Sequence, residues 1–297
     1  MFWRPKYLIF QLNVKDIDTL INFGIMKFLN RVFAFYINSS IHVALAVVAL
    51  LAITDLEYDL PVTNELCAFV FLGSLTGYNF VKYAKVAGLH HRSLAQSLKA
   101  IQIFSGVCTV LLAFVAYKLS INTLLVTAAF GLATFLYAVP FVRNKNLRNF
   151  SGVKIFVVAF VWAGVTVIVP MIASETDISG DVWLTFIQRI LIVVALILPF
   201  EIRDVPYDSL NLKTLPQQVG VRNTKLLGEF VLLLCLVLEF FKQDSEVAYI
   251  ASLLVFCVLL GWMLVISKTE QSRYFASFWV EGLPIVWYLL FVLFGQF

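Results

Sequence analysis

The stretch Glu201-Ile-Arg-Asp204-Val-Pro-Tyr-Asp208 is followed by Lys213-Thr-Leu-Pro216 and, four residues on, Gly220. Asp204 and Asp208 stand four apart, so a helix running through them sets both carboxylates on one face. Two such oxygens can hold Mg²⁺, with water completing the shell, and the metal can neutralise a diphosphate. Pro206 between them predicts a bent or capped helix end, and on spacing alone a solvated loop with ordinary surface carboxylates is the reading to beat. Glu281 lies eight residues past Arg273 and just before Gly282 and Pro284, about 12 Å along a helix rising 1.5 Å per residue. An ionisable group at that depth in an apolar run is a functional candidate, or else a paired or protonated carboxyl that closes a kink. Arg189, inside another apolar run, is expected to snorkel to the surface. Glu229 can pair with Lys225 one turn earlier. His90 and His91 are adjacent rather than four apart and read as loop residues, while Cys67, Cys108, Cys235 and Cys257 sit in apolar runs without a CxxC and read as packing.

The elements that position these groups follow from composition. Of 297 residues, 61% are apolar and only 13% charged, with a mean hydropathy of +0.90. Soluble domains carry roughly 25% charged residues, so a cytosolic enzyme is excluded and the apolar surplus must face lipid. The net charge of +4 is too small to point to nucleic acid. The amino-terminal MFWRPKYLIFQLNVKD has too short an apolar stretch for a signal-peptide core, so no cleavage is expected. Apolar runs of about spanning length predict nine transmembrane helices near 39–54, 62–81, 100–119, 121–142, 152–173, 182–202, 226–241, 247–267 and 275–295. Residues 1–36 form an amino-terminal interfacial segment, in which Ile17, Leu20, Ile21, Phe28, Val32 and Phe35 recur at helical spacing. The expected organisation is a single polytopic, all-α membrane domain over 1–297.

Orientation follows from charge. One set of alternate loops holds 19 of the 22 basic residues, and the other holds Lys118, Arg189 and Lys242 with nine of the 18 acidic groups. The positive-inside rule then places the amino terminus in the cytoplasm and the carboxyl terminus outside, as an odd number of spans requires. A bacterial inner membrane is the expected location.

Two cytoplasmic loops, 82–99 and 203–225, are longer and more polar than turns need and lie four helices apart, which suggests two similar halves meeting at a shared cavity. Here the residues resemble a family. Arg203-Asp204-x-x-x-Asp208 with Lys213-Thr-Leu-Pro216 and Gly220 is similar to the second aspartate-rich motif of the UbiA-type membrane prenyltransferases, and Leu136-Tyr137-Ala-Val-Pro140 with the basic run to Arg148 resembles the end of that family's fourth helix. The resemblance implies nine helices around a central cavity open to the cytoplasm and aspartate-rich loops after the second and sixth helices. It also implies Mg²⁺ as cofactor, with a prenyl diphosphate and a small acceptor, aromatic or otherwise, as substrates.

The first motif departs from the family pattern. Asn79 is present, but Tyr83 and Ala87 stand where carboxylates are expected, and Lys82 and Lys85 lie nearby. In the second motif a usual glycine is absent and the spacing is one residue short. Two readings follow. In the first, Lys82 and Lys85 bind diphosphate oxygens directly, Asp204 and Asp208 are catalytic, and they hold one Mg²⁺ together with Asn79. Arg143, Lys145, Arg148 and Lys213 are then further diphosphate candidates, and Tyr83 and Tyr137 can face an allylic cation through their rings. In the second, the chain is a catalytically lapsed lipid-binding or assembly protein on the same scaffold, and the lysines are topology determinants. A transporter fits nine helices and Glu281 but leaves the second motif unexplained.

Overall fold

The computed structural model describes residues 14–83, 95–138, 153–208 and 213–296. Among these residues every regular element is helical: α1 (Val14–Asn38), α2 (Ile41–Tyr58), α3 (Asn64–Tyr83), α4 (Ala95–Ala116), α5 (Ile121–Ala138), α6 (Val153–Ala163), α7 (Val169–Ala173), α8 (Gly180–Asp204), α9 (Leu215–Glu239), α10 (Val247–Ile266) and α11 (Leu283–Phe294). Two π-helical segments interrupt the pattern, Gly164–Ile168 joining α6 to α7 and Phe275–Val280 leading to α11.

Among the described residues each expected span overlaps a helix, and six stretches are long and apolar enough to cross a membrane: Ile41–Tyr58, Leu98–Ala116, Lys154–Ala173, Gly180–Asp204, Val247–Ile266 and Phe275–Phe294. The protein is integral to the membrane. The apolar part of α5, Ile121–Leu136, is shorter. α3 and α9 fall outside the six because they carry polar groups along their length, among them Asn79 and Lys82 on α3 and Arg222, Lys225 and Glu229 on α9.

The helices pack in a circuit: α2 on α3, α3 on α4 and α5, α5 on α6, α6 on α8, α8 on α9, α9 on α10, α10 on α11, and α11 back on α2. Side chains such as Leu50, Ile53, Ile192, Leu260 and Trp287 are fully buried in the interior. The outer faces are apolar too, with Val110, Phe230 and Val258 exposed, as lipid contact requires. Since lipid is as apolar as these side chains, association rests on close packing and interhelical hydrogen bonds. Gly228 shows the closeness: a Cβ there would stand 2.2 Å from Leu264 and 2.7 Å from Leu198, so α9 meets α10 and α8 nearly backbone to side chain.

Two expectations are corrected here. Arg189 does not snorkel. It is 1% exposed, its guanidinium donates to the Leu50 carbonyl, to Thr54 Oγ1 at 3.2 Å and to Thr166 Oγ1 at 3.4 Å, and it lies over the Trp287 ring at 5.4 Å. Three hydrogen bonds and a ring face serve the guanidinium inside the bundle, so the long route to water brings no gain. Glu229 does not pair with Lys225 either. The Lys225 ammonium donates to the Val265 carbonyl at 2.6 Å, and the Glu229 carboxylate turns to the space beside Gly261.

Candidate active-site cavity

A cavity of about 730 Å³ opens between α2, α3, α4, α5, α6 and α8. Its wall is largely apolar, with Phe69, Val70, Leu112, Phe135, Val161 and Leu196 among the lining side chains. Three ionisable residues also line it: Lys154 from α6, Asp204 from the last turn of α8 and Glu281 from the break before α11. The arrangement is a greasy pouch with charge supplied by three separate elements.

Local sequence explains each placement. α8 ends at Asp204, and the backbone amides of Tyr207 and Asp208 both donate to the Asp204 carbonyl at 2.9 Å, so the chain turns where Pro206 predicts a bend. The Asp204 carboxylate takes a bidentate pair from its neighbour Arg203, Nε to Oδ1 at 2.8 Å and Nη2 to Oδ2 at 3.3 Å, which fixes both side chains. Arg203 also lies over the Phe200 ring of the cavity wall at 5.2 Å. Asp208 is half-buried, and its Oδ2 has no hydrogen-bond partner. Beyond it, Thr214 and Pro216 begin α9 as an N-cap and an early-turn proline do. Gln217 ties the two ends of this loop, accepting from the Thr214 amide at 3.1 Å and donating to the Asp208 carbonyl at 3.1 Å. Lys213 is exposed at the entry to α9.

The first-motif residues sit differently. Asn79 is buried and committed: Nδ2 donates to the Ser39 carbonyl at 2.9 Å and to Ser105 Oγ at 2.7 Å, and Oδ1 accepts from Ser40 Oγ at 2.8 Å. It pins α3 to α4 and to the α1–α2 junction. Lys82 Nζ and Tyr83 Oη both donate to the Asn38 carbonyl, at 3.1 and 2.8 Å. Neither Lys82 nor Tyr83 lines the cavity, whereas Asp204 does. Lys82 is still close enough to Glu281 and Arg203 for their charges to act on it. Tyr137 lies on α5 but its side chain is outside the described residues, as are Lys85, Ala87, Arg143, Lys145 and Arg148 and the two loop histidines.

No family model matches the sequence, and no curated protein does. Solved structures do match. One is a UbiA homologue from Archaeoglobus fulgidus bound to GPP and Mg²⁺, with a TM-score of 0.60 at 9% identity over 89% of this chain and 99% of the solved one. The other concerns a digeranylgeranylglyceryl phosphate synthase in membranes, with a TM-score of 0.54 at 13% identity over 89% of this chain and 98% of that one.

The chain has the UbiA fold.

Within the UbiA fold, the described residues bring no three histidine, cysteine or acidic side chains together as metal ligands. Asn79 has both amide ends engaged, Asp204 is paired with Arg203, and Asp208 stands alone. This donor set does not make a preassembled metal centre. Sequence reasoning missed two pairs of side chains that shape the pouch of this UbiA fold. Lys154 forms an ion pair with the buried Glu201. Trp162 Nε1 donates to Tyr78 Oη at 2.7 Å, the rings meeting edge to face at 6.1 Å, and both side chains line the cavity. Glu201 was adjacent to the motif, a carboxylate on the buried face of an amphipathic run, and that was a signal; Tyr78 and Trp162 carried none among 45 aromatic residues (28 Phe, 11 Tyr and 6 Trp).

Proposed function

We propose that this protein is a UbiA-like intramembrane prenyltransferase, moving a prenyl group from a prenyl diphosphate to a small acceptor. The observation that carries the reading is the 730 Å³ apolar pouch with Asp204, Lys154 and Glu281 on its wall and the second-motif loop at its edge, in the UbiA fold. The prenyl chain takes the apolar pouch. Arg203, fixed by Asp204 beside the wall, is the cation offered to the diphosphate at the edge of the pouch, and Lys82, held on the Asn38 carbonyl outside the wall but within reach of Arg203's charge, is the second. Their charge favours the electron pair leaving with the diphosphate, and electrostatic stabilisation of that departing anion is the main catalytic contribution. The Tyr78 and Trp162 faces are the rings placed to attend the allylic cation. Magnesium, which the resemblance calls for, finds only Asp204 and Asp208 at this end of α8, so each step above runs through protein groups. The nine helices all span in this reading, with the amino terminus and the cavity mouth cytoplasmic, the carboxyl terminus outside and the site in a bacterial inner membrane.

The lapsed-enzyme alternative is favoured by one specific observation, the engagement of Asn79 in hydrogen bonds to Ser39, Ser40 and Ser105. Binding of geranyl diphosphate and of geraniol to the purified protein, with and without Mg²⁺, separates the two. An ionisation site binds the diphosphate at least about tenfold more tightly, roughly 1.4 kcal/mol, gains affinity from Mg²⁺, and loses that gain in the double variant Asp204→Ala, Asp208→Ala. Equal binding of both compounds, indifferent to metal and aspartates, identifies a lipid-binding protein.

A further inference from the structure

Glu281 is the one cavity-lining carboxylate that neither aspartate motif accounts for, and the backbone around it is built to place it. The π-helical segment Phe275–Val280 ends directly before it, its own amide donates to the Ala276 carbonyl at 3.0 Å, and Pro284 opens α11 just after. A π-turn adds a residue to the helical circuit and recurs at functional positions. The surface Glu281 exposes belongs to the cavity wall. The charged groups that act on it are Lys82 from α3 and Arg203 from α8. Tyr36 from α1 lies within reach of its charge; its hydroxyl donates to His42 Nδ1 at 2.7 Å while His42 Nε2 donates to the Phe278 carbonyl at 2.9 Å. With the Nε2 proton spent on a carbonyl, a neutral His42 ring leaves Nδ1 to accept from Tyr36, so that hydroxyl is engaged by His42. Asp204 and Lys154 share the cavity wall.

We infer that Glu281 is the proton carrier of the transfer reaction, holding a proton while the donor is bound, giving it to the leaving diphosphate and taking the proton that the acceptor loses. The inference rests on the prenyl-transfer reading. A diphosphate seated on Lys82 and Arg203 neutralises the two cations facing Glu281 and adds negative charge beside it, so the neutral acid becomes the favoured form in an apolar pouch. When the prenyl C–O bond breaks, its electron pair goes to the diphosphate oxygen and the Glu281 proton follows. The acceptor's nucleophilic atom then bonds to the prenyl carbon and releases a proton, which returns to the Glu281 carboxylate. The cycle closes with no net change in the protein. It also specifies the acceptor class, a nucleophile that carries a removable proton, such as a hydroxyl or an electron-rich aromatic carbon.

The test uses geranyl diphosphate and the full chain in detergent, so that no acceptor need be known. Wild-type affinity falls about tenfold per pH unit on the alkaline limb where free Glu281 ionises, since one proton accompanies each donor bound, and Glu281→Gln binds without that limb. The infrared difference spectrum of the donor-bound wild type shows a protonated carboxyl band that Glu281→Gln lacks and Glu281→Asp keeps. An alkaline limb of equal slope in Glu281→Gln, or a bound wild type with no such band, overturns the inference and leaves the prenyl-transfer reading standing. Absence of any geranyl diphosphate binding by wild type overturns both. Should Glu281→Gln not fold, the wild-type band and its persistence in Glu281→Asp decide alone.

Discussion

Asn79 illustrates how a residue's type and its job part company. The side chain makes three hydrogen bonds, two donated and one accepted, which use both of its N–H donors. Each satisfied buried group contributes about 1 kcal/mol and leaves partners costly to strand. Asn79→Ala therefore lowers stability by about 2 kcal/mol, read as a drop in Tm in detergent, while geranyl diphosphate affinity stays within about threefold. Asn79→Asp is worse than alanine in that measurement, because a carboxylate oxygen would then face the Ser39 carbonyl and have no proton to offer it. Arg189→Ala removes the charged donor from the Leu50 carbonyl and from the hydroxyls of Thr54 and Thr166, which keep only their own bonds to Leu50 and Trp162 one turn back, and costs about 3 kcal/mol by the same assay. Asn79 was visible in the sequence as a motif residue, but the seryl groups that surround it come from positions 39, 40 and 105, which no local spacing connects. For Arg189 the apolar context was legible and the outcome was not, because only the packed bundle shows that acceptors from α2 and the Gly164–Ile168 segment lie closer than water.

At the level of elements, α9 is where the second motif meets the bundle. Gly220 holds φ at 81° inside it, a conformation that L side chains rarely adopt, with open space where a Cβ would go. Gly220→Ala is thus a test of backbone alone and costs about 1 kcal/mol or more; loss of geranyl diphosphate affinity beyond the loss of Tm would place the bend in service of the Asp208 loop. Gly228 poses the opposite problem, an ordinary helical backbone with no room. Gly228→Leu drives into Leu198 and Leu264, and the overpacking costs about 1 to 3 kcal/mol, seen as a lower Tm with donor affinity retained. The run lengths and hydropathy of the sequence located a helix at every expected span. The two π-helical segments were not legible, since a π-turn leaves composition unchanged and shifts the helical face by one residue only once the chain is packed. The Thr-Leu-Pro start of α9 was read as a motif before it was seen as a cap, and both descriptions fit the same chemistry.

Across the whole molecule, the ends of the helices carry different chemistry. One end has the Asp204 loop, the Lys154–Glu201 pair and the Asn38 carbonyl with its two donors. At the far end the buried Lys242 ammonium lies between Glu57 Oε1 at 2.6 Å and Glu239 Oε2 at 2.8 Å, 4.4 Å above the Tyr249 ring, while Gln188, Thr185 and Ser245 donate to the two carboxylates. Asp181 fastens the same end by accepting from the amides of Gln243 and Asp244. Lys242→Met leaves two carboxylates buried together and costs about 3 to 5 kcal/mol. The triple variant Glu57→Gln, Lys242→Met, Glu239→Gln recovers most of that loss of Tm, and failure to recover it would show that the cluster acts through geometry rather than charge. Alternating loop charge made the two ends distinguishable in the sequence, but the cluster itself joins α2 to the end of α9, 185 positions apart, and only the closed circuit brings them together.

That cluster has an electrical consequence. Glu57, Glu239, Lys242 and Arg189 sum to zero within a few side chains of one another, and a membrane voltage acts on a net charge, at about 2.3 kcal/mol per elementary charge across 100 mV. A lone buried charge at that depth would make the bundle's stability rise or fall with the energisation of the cell. With the four cancelling, this cluster presents no net charge for the field to act on.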